Sequence, residues 1–333
     1  MNIISKQTKK IINIIFVCAI IVAIIYVFKD SLPQIIGELK KTSTMTLLLI
    51  CASSAIYEAI EGWVSYSFAK KYNNTFTYKM ALTSVYYASF YRVATLGSAG
   101  GVAAIHYFRE HGIPVSKGTG FYTLGYALHK AAIAVFSMLT VLLTFTYITT
   151  HFKQYSLVLI AGYAIMLLIT VGLVLFCCSR RFHVILMKLV GKCNRKGRFD
   201  CYVLRLQEEC QLLEEASKSL MSSPLFVLKI ICMDLLKNFF WFVIPFIVLY
   251  PLGQFTLLEA LAVTSLGVVL AAVVPTPAGI GGIEYILTTL LAVFVGTGPA
   301  GSATLLYRFA TFLFPFLVGA VIVIYRKSKF LRK

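Results

Sequence analysis

Charge is scarce in this chain, and carboxylates are the scarcest charge of all. Only 13% of the 333 residues are charged, and 13 Asp and Glu stand against 31 Lys and Arg, a net charge of +18. Ordinary globular domains carry about 25% charged residues, so a water-facing surface of usual composition is excluded. The sequence has no Cys-x-x-Cys and no His-Glu-x-x-His, which removes the thiol–metal, redox and zinc-protease frameworks. Its eight cysteines follow no pairing pattern, and Cys18, Cys51 and Cys232 sit inside apolar runs, where cysteine serves as a small hydrophobe. No nucleophile is paired with a base in a water-accessible segment. No catalytic residue, metal site or cofactor is therefore expected, and a lone enzyme is disfavoured.

What the chain has instead is apolar length. Hydrophobic residues make up 59% of it, and a helix needs about 20 of them to cross a bilayer core. The runs 11–28, 45–69, 119–149, 156–178, 224–250, 256–275, 280–296 and 302–325 read as spans. The first is too long for a signal-peptide core and no small-residue cleavage site follows it, so it reads as a retained span. The stretch 79–110 is apolar and aromatic but broken by Gly97-Ser98-Ala99-Gly100-Gly101, and reads as two half-helices. The fold expected is an all-α integral membrane protein: a single polytopic domain over 1–333, with about eight transmembrane helices and two glycine-broken, re-entrant or discontinuous elements.

Lys and Arg cluster in the connections, at Lys6, Lys9 and Lys10, at Lys70, Lys71 and Lys79, from Arg180 to Arg198, and from Arg326 to Lys333. The connections 251–255 and 297–301 have none. This bias puts both termini in the cytoplasm and explains the net charge without nucleic acid. Lys29, Lys40 and Lys41 fit the scheme less well. The segment 179–223 is a cytoplasmic connector whose second half places Val203, Leu206, Cys210, Leu213 and Leu220 along one helical side, with Glu208, Glu209, Glu214 and Glu215 elsewhere. It is a simple connector, or a helix that lies on the membrane, docks on the bundle or meets a partner.

Ionisable groups inside spans are costly and so are candidates for function. Glu58 and Glu61 share one helix face, able to bind a cation or a headgroup ammonium, or to pair with Lys or Arg of neighbouring helices. His129 and Lys130 lie within another span. Asp234 and Lys237 are spaced for an intrahelical ion pair. Arg308 needs an anion within the bundle; Glu284 is its candidate protein partner and a lipid phosphate the alternative. The segment Val274-Pro275-Thr276-Pro277-Ala278-Gly279-Ile280-Gly281-Gly282-Ile283-Glu284 interrupts helix between two apolar runs. Such a break exposes the amides of the following helix to an anion. Paired breaks in two halves point to a transport site; glycines that merely permit tight packing are the alternative.

Pro275-x-Pro277-x-Gly279-x-Gly281-x-x-Glu284, followed by Leu306-Tyr307-Arg308 and Pro315-x-x-x-Gly319, resembles the C-terminal motif of the lysylphosphatidylglycerol synthetase/flippase membrane family. Phe90 to Pro114, with Gly100-Gly101, Tyr107-Phe108 and Glu110-His111-Gly112-Ile113-Pro114, is similar to the family's first-half motif. It departs at Leu96-Gly97, where relatives carry a proline, and at Val102-Ala103-Ala104, where many carry a glutamine. In that family, members with a fused cytosolic transferase make lysyl-phosphatidylglycerol and move it outward, conferring resistance to cationic peptides. Shorter members are membrane-only, and 333 residues leave no room for the transferase.

The resemblance implies a lipid translocase of the bacterial plasma membrane acting on an anionic or aminoacylated phospholipid. Its substrate-binding residues would be Glu58, Glu61, Gly100, Gly101, Pro275, Pro277, Gly279, Gly281, Gly282, Glu284 and Arg308. The amides near Gly279 to Gly282 and Arg308 would hold phosphate, and the glutamates would receive a cationic headgroup or neutralise Arg308. Two alternatives are a membrane component of a phosphatidylglycerol lysyltransferase with a separate soluble transferase partner, and a secondary transporter of a small solute. A membrane phospholipid is the expected partner; a homodimer is compatible.

Overall fold

A helix rises 1.5 Å per residue, so length alone separates helices that cross a hydrocarbon core of about 30 Å from those that cannot. The computed structural model describes residues 31–95, 97–193, 200–201, 203–204, 207–208, 210–211, 214–215, 223–254, 256–274, 276 and 279–332. The expected span 11–28 lies outside them, as do Leu96, Pro275, Pro277 and Ala278, and Leu206, Glu209, Leu213 and Leu220 of the connector. The described residues are almost entirely helical, with no strand among them. The chain is thus an all-α, multi-pass membrane protein.

In chain order the helices are α1 (Ser31–Lys41), α2 (Thr44–Ala69), α3 (Tyr78–Ala94), α4 (Gly100–Glu110), α5 (Val115–Leu143), α6 (Phe145–His151), α7 (Ser156–Cys178), α8 (Arg180–Cys193), α9 (Pro224–Phe242), α10 (Ile244–Leu249), α11 (Leu257–Ala271), α12 (Gly282–Val295), α13 (Thr297–Arg308) and α14 (Phe314–Arg332). Among the described residues five stretches are long and apolar enough to cross a membrane: Thr44–Ala69, Val115–Leu143, Lys153–Cys177, Pro224–Leu252 and Thr297–Lys327. Proline shapes two of them, because it lacks an N–H and its ring crowds the preceding turn. Pro245 follows the change from α9 to α10, and Pro315 follows a π-helical segment, Phe309–Leu313, that joins α13 to α14.

The runs 256–275 and 280–296, expected as two crossings, are α11 of 15 residues and α12 of 14. At about 22 Å each is shorter than the hydrocarbon core. They pack against each other as the arms of a hairpin, as α3 and α4 do. Helix α11 is apolar all round because protein encloses it on most sides, with residues such as Ala262, Val263 and Leu266 fully buried. The contrast is α7, whose apolar window is only 11% buried and therefore faces lipid.

Parity sets the direction of the two hairpins. Both ends of the α3–α4 pair lie on one face, where the Asn73 amide donates to the His111 carbonyl at 2.8 Å and Arg326 pairs with Glu110 at 2.6 Å. This face collects Lys70, Lys71, Arg109, Lys117, Arg180 and Arg326 and is called the basic face below. Three long helices, α2, α5 and α7, separate Thr44 from Pro224, so α9 starts on the face opposite to that where α2 starts. The α11–α12 hairpin accordingly enters from the other side, where Phe294 stacks on Tyr147 with ring centroids 5.1 Å apart. Each half thus reads long span, hairpin, long span, in opposite directions. This is the inverted-repeat arrangement found in many transporters.

Lipid tails are as apolar as leucine, so helix association rests on close packing and on polar contacts between helices. The Ser54 hydroxyl donates to the Ala310 carbonyl at 2.6 Å, inside the π segment, and Thr140 and Ser265 share a hydroxyl contact at 3.2 Å. Gly319 lets α14 lie on α3: a Cβ there would meet the Tyr86 carbonyl and stand 3.0 Å from Phe90 Cβ. Replacing Gly319 with Val should therefore destabilise the fold by about 1–3 kcal/mol, the usual range for overpacking. An unchanged midpoint for denaturant unfolding in micelles would refute this packing account.

Outside the spans, α1 packs against α13. There a hydrogen bond from Ser302, with Lys41 adding to it, holds the Glu38 carboxyl below its ordinary value. The connector touches α5 where Glu215 pairs with Lys117 at 3.4 Å, and within the connector itself Glu214 lies 4.0 Å from His183 of α8.

Candidate functional site

The two hairpin tips meet at one cavity of about 720 Å3. Gly97, Gly100 and Gly101 reach it from the first tip, and Val274, Thr276 and Gly279 from the second. Close approach explains the glycines. A Cβ on Gly100 would stand 2.9 Å from Arg92 Cβ, and one on Gly101 would stand 2.9 Å from the Tyr122 ring. Gly97, at φ 98°, turns the chain between α3 and α4 in a conformation that side chains disfavour.

Helices α2, α3, α5, α9 and α13 bring charge to this cavity. Glu58 and Glu61 project from α2 as their spacing predicts. Glu61 bonds Lys237 of α9, which also pairs with Asp234 one turn away. The expected intrahelical pair is present, and an interhelical carboxylate completes it. Glu58 is 2% exposed and makes no hydrogen bond or ion pair among the described residues. The cations whose fields reach it are Arg92 and Lys237.

Arg308, at the end of α13, donates from Nε to Glu284 Oε1 at 2.8 Å, and its guanidinium lies over the Phe312 ring at 4.5 Å. The sequence-expected partner is therefore the actual one. Glu284 also reaches back across the first turn of α12, where its Oε2 accepts from the Gly281 amide at 2.8 Å. That amide, expected to be open to an anion, is taken by a carboxylate of its own helix. Gly281, Gly282 and Glu284 do not line the cavity, and Gly282 instead lets Thr276 close in, 2.9 Å from where its Cβ would be. Pro275 and Pro277 lie outside the described residues.

The cavity wall concentrates buried polar atoms that the described residues leave without a hydrogen bond: Arg92 Nε, His129 Nδ1, the Asn238 amide, Trp241 Nε1, Thr276 Oγ1 and Arg308 Nη2. Each such atom costs about 1–3 kcal/mol when dehydrated and unpaired, so their concentration beside one cavity makes it the candidate site. Two guanidiniums suit a phosphate, which accepts their forked donors. The unpaired Glu58 suits a cation. Arg92, Tyr122 and Asn238 were not among the sequence candidates; the one signal for Arg92 was its place five residues before the glycine break.

Opposed hairpins around a charged cavity, framed by long apolar helices, define an all-α, multi-pass membrane protein. The chain belongs to the family described as Lysylphosphatidylglycerol synthase TM region, whose family model matches residues 14–319, and so has a membrane role related to lysylphosphatidylglycerol. No curated protein shows significant similarity to it.

Proposed function

We propose that the chain translocates an anionic or aminoacylated phospholipid across the bacterial plasma membrane, its headgroup entering the central cavity while the acyl chains stay in lipid. The observation that carries this reading is the set of unpartnered polar groups in residues around the cavity, above all Arg92 and Arg308, which line a space that the unpaired Glu58 also lines. Arg92 and Arg308 hold the phosphate, and Glu58 receives the ammonium of an aminoacyl group. Glu61 and Glu284 are engaged with Lys237 and Arg308, and set the geometry and charge of those cations. The excess of Lys and Arg on the basic face supports a cytoplasmic location for it and for the C-terminus.

Proteoliposomes carrying headgroup-labelled lysyl-phosphatidylglycerol, phosphatidylglycerol or a polyprenyl phosphate test the proposal. Faster loss of label from one leaflet than in protein-free vesicles, for at least one of the three lipids, is the expected result. Inactivity toward all three in folded protein would remove it. Activity that appears only with an added soluble transferase would favour the partner-subunit reading, and proton- or sodium-driven solute uptake the transporter reading.

A further inference from the structure

Helix α2 presents two opposite faces. Residues 61, 64, 65 and 68 look into the central cavity, whereas 63, 66, 67 and 70 look outward, onto a second groove of about 440 Å3 between the end of α2 and the start of α9. Three lysines ring this groove, and each lies along an aromatic side chain. Lys71 Nζ stands 3.6 Å from the centre of the Phe226 ring and Lys229 Nζ 4.4 Å from that of Trp63. Lys70 Nζ donates to the Tyr66 hydroxyl at 2.7 Å.

Among the described residues none of these ammoniums has a carboxylate partner, although Lys41, Lys117 and Lys237 do. An aromatic face attracts a cation but leaves its charge uncancelled, so the groove keeps three like charges together. Partial burial already pushes the Lys71 ammonium down from its ordinary value. Lys70 and Lys71 follow the last turn of α2, and Lys229 lies in the second turn of α9. That places the groove at headgroup depth on the basic face, where tryptophan, tyrosine and lysine side chains meet lipid phosphates.

We propose that this groove binds the phosphate of an anionic phospholipid from the leaflet at the basic face, at a site separate from the central cavity. The lipid bridges α2 and α9, and so ties the two halves together at one face. A zwitterionic headgroup fits poorly, because its own cation would join three others. The site does not rest on the translocation reading.

Native mass spectrometry of the full chain, purified with phosphatidylglycerol or with phosphatidylcholine of the same acyl chains, tests this site. One phosphatidylglycerol is expected to stay bound under activation that strips phosphatidylcholine, and to persist in Arg92→Gln, where the central cavity is impaired. The combined Lys70→Gln, Lys71→Gln and Lys229→Gln variant should lose it, with affinity falling on the order of 100-fold at low salt. The matching Lys-to-Arg variant should retain it. Raising the ionic strength should release the lipid from the unmutated protein, a readout that needs no variant to fold. Equal retention in the glutamine variant, equal retention of phosphatidylcholine, insensitivity to salt, or displacement by glycerol phosphate would each overturn the proposal, the last by making this a site for a soluble anion.

Discussion

Arg92→Gln is expected to lower lipid translocation by about 10- to 100-fold, the loss of a charge-assisted hydrogen bond of roughly 1.5–3 kcal/mol, while the protein unfolds at a midpoint no lower than the parent's. The separation of the two effects follows from the ion pairing. Arg308 is tied to Glu284, so removing it strips the carboxylate of its partner and disturbs the fold as well as the site. Arg92 has no acidic partner among the described residues, and its Nε is buried on the cavity wall without a hydrogen bond. Its guanidinium is a cost to the empty fold and a gain only when an anion is present. Leaflet-exchange assays and denaturant titrations on the same preparations check this. Full transport in Arg92→Gln would remove the residue from the site, and a large drop in stability would show that its role is structural.

Lys237→Met is expected to destabilise the protein by about 3–5 kcal/mol, the range for breaking a buried ion pair from one side. Lys237 and Asp234 are 2% and 0% exposed at their side chains, and Glu61 is 33% exposed. Removing the one cation leaves a carboxylate on α9 sealed from water and a second on α2 facing it. The double variant Lys237→Met with Asp234→Asn should recover much of the loss, because a neutral amide is far cheaper to bury than an unpaired charge. Chemical unfolding in mixed micelles measures both. A single variant as stable as the parent, or a double variant no better than the single, would refute the account of Lys237 as the neutraliser of two helices.

Local chemistry made much of this architecture readable in advance. Glycines at 97, 100 and 101 and at 279, 281 and 282 marked both breaks, because irregular backbone within a membrane needs residues that tolerate close approach. The Arg308–Glu284 pair was foreseeable from the cost of a lone guanidinium among apolar residues. Crossing number was harder. Hydropathy cannot distinguish an arm such as α11, enclosed by protein, from a helix bathed in lipid, because both are apolar on every side. The contacts of the cavity were harder still: Glu61 and Lys237 lie 176 residues apart, and nothing near either names the other. Arg92 read only as a residue ahead of the first glycine break, and His129 only as a neighbour of Lys130 within another span. Only packing shows that they share a wall.

The opposed hairpins also bear on voltage. Helices α4 and α11 are only 11 and 15 residues long, about 17 and 22 Å, so each hairpin has an arm that stops short of a full crossing. An electrical potential falls where water is excluded, and moving one elementary charge through its whole drop involves about 2.3 kcal/mol per 100 mV. On the proposed translocation, a charged headgroup moved past those tips carries its charge through that drop, and the sign of the charge sets which way the field drives it.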